Sequence, residues 1–272
     1  MRVDDLILPF AVSTMGDAPT QPAIVLPGGP CRGPEYLAGL AGLGEDRALV
    51  VLHPRGTPRS GGLSRGWWTD ASDVVALADA LDLDTVDIVG HSAGTRLALA
   101  TAAQHPDRVR SLALLTPPAS WLTGTVSDAE ALAATFADPA AREAFAALQT
   151  DDPQTESEFT EAFLREAPAT YAHWTEVERS HAEVGTMSLA AALAWFTDIP
   201  DAAADRIRST PLPPTLVVGG DRDLLTGLQP VRDYAAVLGA DVRFIDDCGH
   251  YPWIEQPAAF RRILAEWLTT RG

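Results

Sequence analysis

The chain predicts an α/β fold, with a mostly parallel central sheet, helices on both faces and an all-helical insertion. Three observations carry this expectation. Short apolar runs alternate with helical stretches up to about Thr116, and the rhythm resumes at Pro213. Between them, residues 117–209 show helical patterning and no strand. At Thr85–Leu99, an apolar strand passes through Gly90-His91-Ser92-Ala93-Gly94 directly into an Ala/Leu-rich helix.

The elements follow in order. Ala23–Leu26 is an apolar strand that stops at Pro27-Gly28-Gly29-Pro30, and Pro34–Leu43 has a helical pattern. Ala48–Leu52 is a second apolar strand, followed by a helix over Ser72–Leu81. The strand at Thr85–Val89 and the helix at Ala93–Gln104 flank the Gly-His-Ser-Ala-Gly turn. Ser111–Leu115 ends at the breaker Thr116-Pro117-Pro118. In the insertion, Asp128–Phe136, Ala140–Leu148, Glu156–Glu166, Tyr171–Ala182 and Ser188–Phe196 are expected to be helical. Two late strands, Pro214–Gly220 and Asp241–Ile245, restore the sheet pattern.

The chemistry begins at Ser92. A serine in a tight strand-to-helix bend needs small neighbours, and Gly90 and Gly94 supply them. Its hydroxyl then sits at a helix N-terminus, where free N–H groups favour developing negative charge. A nucleophilic serine requires a base, and the base an orienting acid. Asp221 and Asp223 follow the glycine-ended strand Pro214–Gly220, and His250 follows the strand Asp241–Ile245. All stand at the carboxyl ends of strands, where open α/β sheets gather their functional groups. The order Ser, Asp, His is that of a nucleophile elbow on an α/β sheet.

The other histidines have plainer readings. His91 lies inside the turn and is expected to line or support the site. His53 ends a strand as a packing residue, and His105 sits at a helix end. His173 and His181 fall in the polar middle and are expected to be solvated. No histidine, cysteine or carboxylate set has zinc-ligand spacing, so neither metal nor cofactor is expected. An oxyanion hole needs two backbone donors. Ala93, following the nucleophile, supplies one, and Gly29 the other, because Pro30 has no N–H.

These motifs together resemble the α/β-hydrolase superfamily of the Ser-Asp-His type, over nearly the whole chain apart from its middle. Gly249-His250-Tyr251-Pro252-Trp253-Ile254-Glu255-Gln256-Pro257 is similar to the family's histidine loop, G-H-x-P-x-x-E-x-P. Gly220-Asp221-Arg222-Asp223 resembles its G-x-x-D acid loop, which implies Asp223 as the acid of the triad. The resemblance further implies a core of residues 1–116 and 210–272, with 117–209 as a helical cap that selects substrate. Gly28-Gly29-Pro30 and Arg55-Gly56-Thr57-Pro58-Arg59-Ser60 partially resemble signatures of proline iminopeptidases. Pro27, Cys31 and His53-Pro54 depart from those signatures, and Gly-His-Ser-Ala-Gly is more typical of esterases, lactonases and thioesterases.

Three activities follow from the resemblance: an aminopeptidase of the proline-iminopeptidase kind, an esterase, lactonase or thioesterase, and a ligand-binding member without hydrolysis. Trp67, Trp68, Trp121 and Trp195 join His91 as expected pocket walls. In the aminopeptidase reading, a cap glutamate holds the substrate amine, drawn from Glu156, Glu158, Glu161, Glu176, Glu178 and Glu183.

Composition bounds the partners. A formal net charge of −17 disfavours nucleic acid and anionic membranes, leaving a small-molecule or short-peptide substrate. The acids in Met1–Leu8 are unlike a signal peptide, and no apolar run reaches membrane-span length, so a cytoplasmic location is expected. Two cysteines, Cys31 and Cys248, do not make a disulfide framework. Oligomeric state is not legible.

Overall fold

The computed structural model describes residues 8–270. The reading of the first residues as no signal peptide therefore lies mostly outside the described residues.

Seven strands form one sheet: β1 (Val12–Met15), β2 (Ala23–Leu26), β3 (Leu49–Leu52), β4 (Val86–His91), β5 (Val109–Leu115), β6 (Thr215–Gly220) and β7 (Asp241–Ile245). Their spatial order is β1-β3-β2-β4-β5-β6-β7. Only β1 runs antiparallel, against β3; every other pair is parallel. The helices are α1 (Ala71–Ala80), α2 (Gly94–Gln104), α3 (Ser120–Thr123), α4 (Ala129–Ala133), α5 (Pro139–Thr150), α6 (Glu156–Glu166), α7 (Glu176–Ala182), α8 (Leu189–Trp195), α9 (Ala203–Ser209), α10 (Gln229–Leu238), α11 (Pro252–Glu255) and α12 (Pro257–Thr269).

Strands β2 to β6 are buried on both faces, as their near-continuous apolar runs require, while the edge strands β1 and β7 are partly exposed. Alternate side chains feed opposite layers. Ile24, Leu26, Ile88, Leu112 and Val217 pack with Val74 of α1, Leu97 of α2 and Val231 of α10. Val25, Val51, Val89, Ala113 and Val218 pack with Tyr36, Leu40 and, from α12, Phe260 and Leu264.

Two predicted helices differ from expectation. Pro34–Glu45 is a pair of tight 3-10 turns, broken at residues 38–42, where φ is positive throughout. Glycine-rich spacing favours this break, and Gly44 sits where a Cβ would lie 2.6 Å from the Met15 carbonyl oxygen. The stretch predicted as Tyr171–Ala182 is helical only from Glu176, because Thr175 and Glu178 form a capping box that starts α7 there.

Helices α3 to α9 fill the interval between β5 and β6, with no strand among them. Its two ends rest on the sheet layer, α3 against α10 and α9 against α2. Phe136, Ala141, Ala144 and Ala169 form a small apolar cluster of their own with Leu224. No helix among the described residues is long and apolar enough to cross a membrane.

Candidate active site

The strand order reverses between β2 and β4, which opens a crevice at their carboxyl ends. Ser92 stands there with φ +49°, a left-handed conformation uncommon for a residue with a side chain. The bend is held by its neighbours. Ser92 N–H donates to the Leu115 carbonyl (2.9 Å), and its own carbonyl accepts from Thr95 N–H and Oγ1. A Cβ on Gly94 would lie 2.3 Å from the Leu26 carbonyl oxygen, and one on Gly90 3.0 Å from the Gly94 carbonyl oxygen. The glycines of the motif therefore let α2 approach β2 and β4.

Asp223 is fully buried at the end of β6, and its Oδ2 lies 2.8 Å from His250 Nδ1. Its Oδ1 accepts from Leu225 N–H (3.0 Å), which fixes the carboxylate plane. Asp221 instead accepts from Cys248 N–H, as a turn-capping carboxylate does. Asp247 pairs on the surface with His173. Ser92 and His250 face the same cavity of about 450 Å³.

The histidine loop is tied down by the glutamate of its motif. Glu255 accepts the amides of Gly249 (3.0 Å), Tyr251 (3.3 Å) and Ala172 (2.7 Å). His250 N–H donates to the Thr170 carbonyl, and its own carbonyl accepts from Thr116 Oγ1 and His91 Nε2. Since a carbonyl only accepts, His91 carries its proton on Nε2. Nδ1 then accepts from the Tyr36 hydroxyl (2.9 Å), whose oxygen accepts from Gly28 N–H (2.6 Å). A continuous buried chain thus joins the loop after β2 to the backbone of His250. Burial, with His250 and the Arg32 charge nearby, pushes His91 well below the usual histidine range and keeps it neutral.

Gly29 lines the cavity with φ +49°, and Gly28 has no room for a side chain, since a Cβ would meet Ser92 Cβ at 2.6 Å. Neither the Gly29 nor the Ala93 amide has an acceptor among the described residues, so both donors are free for a ligand.

The cavity roof comes from two helix faces. Phe159, Ala162, Phe163 and Glu166 of α6 face it at helical spacing, as do Leu189, Ala192 and Leu193 of α8 with Phe196 just beyond. The four tryptophans expected as pocket walls are not among its lining residues. Trp195 projects from the opposite face of α8 beside Ala191 and is buried. It packs in the layer over α1 and α2 with Trp67 and Trp68, and Trp121 meets Trp67 edge-on, ring centres 5.5 Å apart. Large indoles gain more from full burial there than from a wet wall. Of the expected walls, His91 alone lines the cavity.

Other expectations shift as well. His181, expected to be solvated, is buried between the Tyr171 hydroxyl and the Tyr36 carbonyl. Four of the cap glutamates are already engaged: Glu156 accepts from the Leu189 and Ala190 amides and Glu161 from the Ser157 hydroxyl, while Glu158 and Glu178 close capping boxes. The acids that do reach the wall are Asp151 and Glu166, neither singled out by sequence. Cys31 and Cys248 are buried free thiols, and burial pushes both up, Cys31 to about 12. No metal-ligand cluster occurs among the described residues.

Comparison with known proteins agrees with this architecture. Residues 22–257 match the family described as alpha/beta hydrolase fold. The chain is 28% identical to a 2-hydroxymuconate semialdehyde hydrolase of Pseudomonas sp. (strain CF600), over 78% of this chain and 71% of that one. It is 30% identical to a pimeloyl-[acyl-carrier protein] methyl ester esterase of Neisseria meningitidis, over 72% of this chain and 62% of the other. Among solved structures, the proline iminopeptidase of Mycobacterium smegmatis superposes with TM-score 0.69 at 21% identity, over 96% of this chain and 94% of that one. The chain belongs to the α/β hydrolase fold family and is an enzyme of that type.

Proposed function

We propose that the protein is a serine hydrolase that forms an acyl-enzyme and cleaves an ester, lactone or thioester of a small acyl substrate. The observation that carries this is the buried 2.8 Å bond from His250 Nδ1–H to Asp223, beneath a cavity that Ser92 and His250 share. With its Nδ1 proton held there, His250 presents Nε2 to accept the Ser92 proton. Ser92 then attacks the carbonyl carbon, and the Gly29 and Ala93 amides receive the oxyanion. His250 returns the proton to the leaving group, and water, activated in the same way, releases the acid. Residues 117–209 act as the cap that shapes the acyl pocket.

An aminopeptidase needs an ionised acid for the substrate amine. Asp151 and Glu166 keep that second reading in play, since both line the cavity. Asp151, however, is bridged to Arg165, and burial together with Asp151 pushes Glu166 up to about 7. The buried Arg32 cation on the same wall also repels an amine. The long match to a methyl ester esterase favours the ester reading too.

The test compares p-nitrophenyl butyrate with prolyl-2-naphthylamide, with Ser92→Ala as control. Ester turnover that disappears in Ser92→Ala, without prolyl cleavage, is the expected result. Faster prolyl cleavage would establish the aminopeptidase instead, and ester turnover undiminished in Ser92→Ala would remove the serine mechanism.

A further inference from the structure

Arg32 and Arg47 are the two fully buried arginines among the described residues. Arg47 has the partner that such burial demands, Asp87 at 2.8 Å. Arg32 has no carboxylate within ion-pair distance among the described residues, and it is one of the residues lining the cavity with Ser92 and His250.

Its environment fixes the cation without neutralising it. Nε donates to the Val184 carbonyl (3.1 Å), Nη2 to the carbonyls of Ala182 and Val184, and Nη1 to the Tyr251 hydroxyl (2.9 Å). These acceptors use four of the five N–H groups and leave one on Nη1. The guanidinium carbon lies 4.5 Å from the Tyr36 ring centre and 5.0 Å from that of Phe163, both cavity residues. Its stem runs beside the proposed oxyanion donor: a Cβ on Gly29 would stand 3.1 Å from Arg32 Cβ. Neutral donors serve carbonyls and a hydroxyl equally well, so these contacts do not explain a buried full charge. The arrangement is a rigid cation on the wall of the Ser92–His250 cavity, held by neutral acceptors alone.

We infer that the cavity takes acyl substrates carrying a carboxylate of their own, and that Arg32 receives this group. The inference rests on the ester-cleaving reading of Ser92. It adds a binding subsite at which a planar guanidinium meets a planar anion. The two acids on the wall do not oppose it strongly, because Asp151 is bridged to Arg165 and Glu166, raised to about 7 by burial and by Asp151, carries only part of its charge at pH 7.

The experiment uses mono-p-nitrophenyl adipate and suberate, each against its methyl-capped neutral counterpart, on wild type, Arg32→Gln and Arg32→Lys. Wild type is expected to favour the free acid in kcat/KM by roughly 10- to 100-fold, the range of a charge-assisted hydrogen bond. Arg32→Gln should bring that ratio to about 1, and Arg32→Lys should keep part of it. A wild-type ratio near 1, or a preference that survives in Arg32→Gln, overturns the inference. Equal loss on both esters in Arg32→Gln does so as well, because it marks Arg32 as a structural tie alone. Calorimetric binding of adipate and suberate to Ser92→Ala, with and without Arg32→Gln, provides a readout independent of turnover. If wild type cleaves no ester, the hydrolytic reading fails, and dicarboxylate binding lost with Arg32 still upholds the subsite. Absence of such binding overturns it.

Discussion

Replacing Tyr36 by Phe removes one oxygen from the middle of the buried chain that links Gly28 to His250. Tyr36 is fully buried, so the ring keeps its packing and the change reports on the hydroxyl alone. Two hydrogen bonds disappear, from Gly28 N–H (2.6 Å) and to His91 Nδ1 (2.9 Å), leaving a donor and an acceptor unpaired. Each unpaired buried group costs about 1–3 kcal/mol, which places the destabilisation at about 2–4 kcal/mol after partial relaxation. Gly28 precedes the proposed oxyanion donor and touches Ser92, so catalysis should suffer as well. We expect kcat for p-nitrophenyl butyrate to fall about 10- to 100-fold with little change in KM, as when an interaction of the transition state is misplaced. Urea denaturation reads the stability, and steady-state kinetics the turnover. A destabilisation below about 0.5 kcal/mol, with kcat unchanged, would refute the reasoning.

Other substitutions test neighbouring parts of the account. Gly28→Ala puts a Cβ 2.6 Å from Ser92 Cβ, and turnover should drop by more than about 100-fold while circular dichroism retains the folded spectrum; near-normal turnover would show that the loop shifts freely. Glu255→Gln turns an NH2 group toward backbone N–H groups that now donate to both Glu255 oxygens, so thermal melting should fall and kcat with it, whereas an unchanged kcat would detach Glu255 from the His250 loop. Acid should destabilise the fold through three histidines held neutral by burial: His91, His181 and His53, the last drawn down to about 4 by burial and the Arg59 charge. Unfolded, each takes a proton near its ordinary 6.5, so stability is whole above that pH and is lost as pH falls toward 4. His53→Gln should flatten this limb in urea titrations across the window, and an unaltered slope would remove His53 from the explanation.

Much of this arrangement was legible in the sequence because it rests on local chemistry. The strand–Gly-His-Ser-Ala-Gly–helix unit and the glycine-ended β6 follow from patterning, and all six parallel-paired strands begin and end within two residues of their predicted limits. The missed parts depend on contacts between distant segments. Tyr36 reaches His91 across 55 positions and Arg32 reaches Tyr251 across 219, distances at which no motif speaks. Trp195 was misread because an aromatic residue alone does not say which helix face it occupies. The repeat 189, 192, 193, 196, set beside 159, 162, 163, 166, did contain the answer, since each set marks one face of a helix. Glu255 was visible in the histidine-loop motif, although its hold on three amides appears only when the loop closes.

The central claim is that Ser92 is the nucleophile under His250 and Asp223, and covalent labelling tests it most directly. The protein would be treated with a fluorophosphonate, digested and analysed by peptide mass spectrometry, alongside Ser92→Ala and His250→Gln. The account predicts a single adduct on the peptide containing Ser92, absent in Ser92→Ala and strongly slowed in His250→Gln. An adduct on another residue, or wild-type protein that remains unlabelled, would contradict it.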